Sequence, residues 1–123
     1  MKILFLLILS ATLASAKTNV LDNIKWTSYP GARIKGRCAQ YASSLAFDLQ
    51  MRKIESYYVE YEWKDRSKHG AHAVVFIHVD DKWMLVDNET PTPLRVHGKE
   101  KNGEPDFLGM VKQRHYYVVK VRE

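Results

Sequence analysis

The sequence predicts an α+β fold, one amphipathic helix followed by antiparallel strands. Three observations carry this. Apolar or small residues recur at Cys38, Tyr41, Ala42, Leu45, Ala46 and Leu49, the i, i+3, i+4, i+7 spacing of one buried helical stripe. From Ile54 to Trp63 the period changes to two: Tyr57, Val59, Tyr61 and Trp63 alternate with Tyr58, Glu60 and Glu62. Ala71 to Val79 is then nearly all apolar and rich in β-branched residues, and an Asp80-Asp81 turn separates it from a further strand, Lys82 to Asp87.

The elements follow in order. Lys2, the apolar run Ile3 to Leu13 and the small residues Ala14-Ser15-Ala16 form a signal-peptide pattern, so residues 1–16 are expected to be removed on export. That run is too short to cross a bilayer as a helix, and no later stretch is long and apolar enough. The mature chain is therefore expected to be secreted or periplasmic, with no stable membrane insertion. Residues 17–35 are polar and irregular, with a turn at Tyr29-Pro30-Gly31. Residues 36–123 form the expected domain, entered at Gly36-Arg37-Cys38. Lys64 to Gly70 is read as a charged loop. Pro91 to Pro105, with three prolines and two glycines, is read as a long loop, and Arg114 to Val121 as the last strand. The helix is thus expected to pack on an antiparallel sheet of about four strands.

Composition narrows the function. There are 19 Lys and Arg residues against 14 Asp and Glu, a formal charge of +5, but the basic residues are scattered among acids. No dense basic tract with interleaved aromatics is present, so no nucleic-acid partner is expected. The chain has one cysteine and so no internal disulfide. In an exported chain such a thiol is a buried passenger, an intermolecular link or a group kept for chemistry. No paired cysteines and no close histidine spacing point to a metal, and no glycine-rich loop points to a phosphate. No cofactor is expected.

Cys38 opens the predicted helix. The partial positive charge and free N–H groups of a helix N-terminus favour a thiolate and can face an oxyanion. A cysteine nucleophile needs a base, usually histidine. Of five histidines, His72 lies in the apolar strand, His69 and His97 lie in predicted loops, and His115 opens the last strand with no obvious acidic partner. A third group should orient the imidazole. If the hairpin closes through the two residues Asp80 and Asp81, Val79 faces Lys82 and His72 lies opposite Glu89. Asp87 is then the diagonal neighbour of His72 on the same face. A loop of odd length would present Asn88 instead. Asn88-Glu89-Thr90 also matches the N-glycosylation pattern, where a glycan would sit beside the site.

The order of these pieces resembles the transglutaminase-like family. Gly36-Arg37-Cys38 at a helix start is followed by Ala42, Met51-Arg52 and the strand through Tyr57-Tyr58-Val59. His72-Ala73 and then Trp83-Met84-Leu85-Val86-Asp87 and Thr90 complete the pattern. Ala39 and Val74 stand where that family often carries tryptophan. The resemblance implies a papain-like core with Cys38 as nucleophile, His72 as base and acid, and Asp87 as the orienting group. It implies a cysteine hydrolase acting on peptide or amide bonds through an acyl-enzyme, with transfer to an amine as its variant and a peptide or protein as substrate. Trp26, Ser28 and Tyr29 are candidates for a further oxyanion donor. Two other readings stay open: a transglutaminase-like binding module without turnover, and a secreted effector using Tyr57, Tyr58, Tyr61 and Trp63 as a contact surface.

Overall fold

The computed structural model describes residues 18–122. The leader expected at residues 1–16 lies outside them. A 3-10 helix, Thr18–Asn23, comes first. Helix α1, Cys38–Met51, follows, then strands β1 (Ser56–Asp65), β2 (Lys68–Val79), β3 (Lys82–Asp87) and β4 (Thr90–Val96). The two-residue strands β5 (Glu100–Lys101) and β6 (Glu104–Pro105), a short helix α2 (Phe107–Val111) and strand β7 (Val118–Val121) complete the chain. The class is α+β, with α1 packed on a five-stranded antiparallel sheet of order β4-β3-β2-β1-β7. β5 and β6 form a separate pair.

The sheet has five strands rather than about four because the Pro-rich segment contributes β4. Pro91 and Pro93 lack a backbone N–H, which makes the segment look like a loop in sequence, but an edge strand tolerates proline. The expected charged loop at Lys64 to Gly70 is mostly strand. β1 and β2 pair down to Asp65 and Lys68, so only Arg66 and Ser67 remain as the turn, with Arg66 at φ 60. Asn102 and Gly103, both at positive φ, close β5 onto β6 in the same way. Helix α2 starts at Asp106, whose carboxylate accepts the N–H of Gly109 at 3.0 Å. The last strand begins at Val118, because Arg114 and His115 donate their N–H groups back to Val111.

The central strand β2 is buried on both faces, which explains its unbroken apolar run. Ala73, Val75, Ile77 and Val79 meet Tyr41, Ala42, Leu45 and Leu49 of α1 in one cluster. Leu21 and Ile24 belong to that cluster as well, so the segment before Gly36 helps to build the core. Val74 and Phe76 point the other way, into a second cluster with Val59, Tyr61, Leu85, Met110 and Val118.

The helical stripe separates substitutions that matter from those that do not. Leu45 is 0% exposed, whereas Phe47 is 66% exposed on the same helix. Leu45→Ala should cost about 2–5 kcal/mol of unfolding free energy. Phe47→Ala should change it by no more than about 0.5 kcal/mol. Urea midpoints of the two variants measure the difference, and equal losses would contradict the packing described.

Candidate active site

The turn between β2 and β3 decides which side chains meet. Asp80 and Asp81 lie at φ 57 and φ 60, so the hairpin closes through two residues. Val79 pairs with Lys82, and the register runs without slip to Val75 opposite Val86. His72 and Asp87 then share a face. The His72 Nε2–H donates to Asp87 Oδ2 at 3.1 Å. An ionised carboxylate only accepts, so Nε2 carries the proton and Nδ1 is left as the acceptor. The other carboxylate oxygen, Oδ1, accepts the Glu89 N–H at 2.9 Å.

Cys38 is the first residue of α1 and is partly buried. Gly36 takes φ +87 just before it, where a Cβ would meet no other atom. Glycine is thus used there for its backbone freedom alone. Arg37 occupies the cap position without a side-chain capping bond, its guanidinium donating instead to Gln40 Oε1 at 3.1 Å, so the first N–H groups of the helix are not capped by it. Cys38 packs against the α1 side of the sheet, while His72 and Asp87 alternate with residues of that side. Among the described residues no hydrogen bond joins Cys38 to His72 or to Asp87. Tyr61 connects the two sides electrostatically. Burial raises the pKa of its phenol, and the charges of Asp87, Cys38 and Glu89 raise it further. The Tyr58 phenol is raised by burial, by its bond to Glu60 and then by the charges of Glu60 and Cys38. The N-terminal end of α1 therefore lies at the His72 end of the sheet.

The chain matches no family model, no curated protein and no solved structure.

Chemistry must therefore be read from the side chains. His72 and Asp87 line a cleft of about 380 Å³ with Tyr61, Trp63, His115 and Tyr116 among its walls. Cys38 does not line it. His115, which seemed in sequence to lack an acidic partner, places Nε2 3.8 Å from Asp87 Oδ2. That nitrogen is buried and has no hydrogen-bond partner. The His115 ring lies 5.4 Å from Tyr61 and 6.2 Å from His72. Burial lowers its pKa from the usual 6.5, and the charges of His72 and Arg114 lower it further against the opposing pull of Asp87. At neutral pH it is a neutral ring beside a carboxylate, not an ion pair.

A second histidine–carboxylate pair lies elsewhere on the sheet. His78 Nδ1 lies 3.1 Å from Glu55 Oε1, and the Tyr57 hydroxyl donates to the same carboxylate. The His78 ring is stacked on Trp83 at 4.3 Å and 13°. This pair sits where the chain leaves the C-terminal end of α1, because His78 N–H bonds the Glu55 carbonyl. A 14-residue helix spans roughly 21 Å, so the only thiol is far from it.

Two of the proposed extra oxyanion donors have other engagements: Ser28 Oγ donates to the Lys25 carbonyl at 2.7 Å, and the Tyr29 hydroxyl donates to Asp48, well along α1. Trp26 uses its carbonyl, which accepts the Tyr41 hydroxyl at 2.8 Å. Asn88 is 1% exposed and uses its amide nitrogen inside the protein, so the folded chain does not offer it for glycosylation. Among the described residues, no group of three or more His, Cys, Asp or Glu side chains is arranged to hold a metal ion. None of their helices is long and apolar enough to cross a membrane.

Asp87 ties the site to pH. Burial raises its pKa, but the hydrogen bonds from His72 and Glu89 and the charges of His72 and His115 outweigh it. The net value lies below the ordinary 3.8. A carboxyl held below its unfolded value stabilises the fold above that value, and the contribution is lost as pH falls through the folded one. Wild-type stability should therefore decline as pH drops below about 4, and Asp87→Asn should show a shallower decline. Urea unfolding between about pH 5 and pH 3 measures this, and equal slopes in the two proteins would refute it.

Proposed function

We propose that this chain is a transglutaminase-like cysteine hydrolase with a papain-like core, exported to a secreted or periplasmic location, that acts on peptide or amide bonds. One observation carries the reading: the Nε2-bound His72–Asp87 pair in a cleft at the same end of the sheet as the Cys38 helix start. With Nε2 committed to Asp87, Nδ1 is the nitrogen that takes the Cys38 proton. The thiolate attacks the carbonyl carbon, and the uncapped N–H groups at the start of α1 face the oxyanion. His72 returns the proton to the departing amine, leaving an acyl-enzyme. Water attacks the acyl carbon, its proton passes to His72, and Cys38 leaves as product acid forms. An amine in place of water gives acyl transfer. Asp87 holds the imidazole in the required tautomer and stabilises the imidazolium.

The second reading is a binding module of the same fold without turnover. It draws on the lack of a direct Cys38–His72 hydrogen bond. Unliganded catalytic contacts are often long and tighten only around substrate, so that lack does not decide between the two.

Thiol reactivity separates them. Wild-type Cys38 should react quickly with iodoacetamide at neutral pH. His72→Ala should slow the reaction about tenfold or more, and Cys38→Ala should abolish it while near-ultraviolet dichroism is unchanged. On a peptide or amide substrate, His72→Ala should lower turnover by about 10²–10⁴. Labelling that is slow and indifferent to His72 would leave the binding module as the better account.

A further inference from the structure

Asn88 follows Asp87 directly and is among the few polar residues in the buried interior. Its Nδ2 donates to the Gly31 carbonyl at 3.1 Å and to the Ile34 carbonyl at 2.9 Å. Its own carbonyl accepts the Arg33 N–H at 2.7 Å. The three bonds reach 54 to 57 residues along the chain. They grip the short segment that leads through Gly36 into Cys38. The other hydrogen bonds of that segment are local: Ala32 to Tyr29, Ile34 to Gly31, Arg37 to Ile34 and to Gln40, and Tyr41 to Arg37. Among the described residues, every hydrogen bond from residues 30–37 to a distant part of the chain ends on Asn88.

We infer that Asn88 is a positioning residue, which fixes the Cys38 end of α1 relative to the His72–Asp87 pair. The inference rests on the function proposed above. Asn88 acts through a peptide bond to Asp87 on one side and through the Gly31–Arg37 segment on the other. Both hydrogens of its amide are used, one on each carbonyl, and its Oδ1 is buried without a partner. The donors, not the acceptor, are therefore what this position supplies, and aspartate cannot supply them. The gripped segment is itself stiff. Gly31 lies at φ +91, and a Cβ there would stand 2.8 Å from the Arg37 carbonyl oxygen. That oxygen accepts the Tyr41 N–H at 3.1 Å, the first helical bond of α1. A shift at Gly31 therefore passes to the helix start without touching Asp87.

The test is the pH profile of iodoacetamide alkylation at Cys38 in the full chain. Wild type is compared with Asn88→Ala, Gly31→Ala and His72→Ala, with near-ultraviolet dichroism to confirm folding. Sucrose keeps marginal variants folded during the measurement. Asn88→Ala should slow alkylation at pH 7 about tenfold and move the profile toward an ordinary thiol near pH 8.5. Gly31→Ala, which disturbs the same tie from its other end, should move it the same way. A folded Asn88→Ala with the wild-type profile overturns the inference and leaves the proposed function standing. Where Asn88→Ala does not fold, Gly31→Ala decides on the same criterion. A wild-type profile that does not depend on His72 removes the proposed function, and the inference falls with it.

Discussion

Asp80 and Asp81 close the β2–β3 hairpin with two consecutive positive φ angles, and the rest of the molecule depends on that turn keeping its length. Side chains alternate along a strand, so one residue more or fewer would turn Asp87 to the α1 face and bring Asn88 toward the cleft. The same slip would place Leu85 among helix-side residues and Val86 among the aromatics. The turn thus selects the partner of His72 and the contents of both cores at once. Two aspartates in a left-handed conformation are an uncommon choice, though aspartate visits that region more readily than most residues other than glycine.

Burial of β2 on both faces has a further effect. From Ala73 to Ile77 β2 is covered by α1 on one side and by the α2 cluster on the other, so His72 is held where this confined run meets the more exposed half of the strand. Its environment is mixed. Apolar and aromatic walls drive up the pKa of the Tyr61 phenol and drive down that of His115, while hydrogen bonds keep Asp87 ionised. The Asp87 carboxylate is half-shielded from water by these walls, which makes its bond to His72 stronger than the same bond in open water.

Much of this was readable in the sequence, and the unread parts share a cause. The α1 stripe and the β2–β3 register follow from local periodicity and a two-residue turn, so the meeting of His72 with Asp87 could be derived. The Arg66-Ser67 turn could not, because the positive φ falls on Arg66 rather than on a glycine or asparagine, and charged flanks look like loop. Pro91 and Pro93 hid an edge strand. Helix α2 is too short to show a period. His115 reaches Asp87 only because β7 pairs with β1 far back in the chain, and nothing near it signals that pairing. Asn88 looked like a turn residue or a glycosylation point, since its bonds run to a segment more than fifty residues earlier.

The two rims of the sheet are unlike. β4 at one rim carries two prolines, which remove two of its donors, while β7 at the other has no proline and exposes Val119, with Tyr117 exposed just before it. Backbone pairing between copies is thereby disfavoured at β4 relative to β7, where two copies would meet β7 against β7. Such a contact uses the same surface on both partners and is closed by a two-fold axis. Growth by this route ends at a pair, because one β7–β7 contact uses that rim on both molecules.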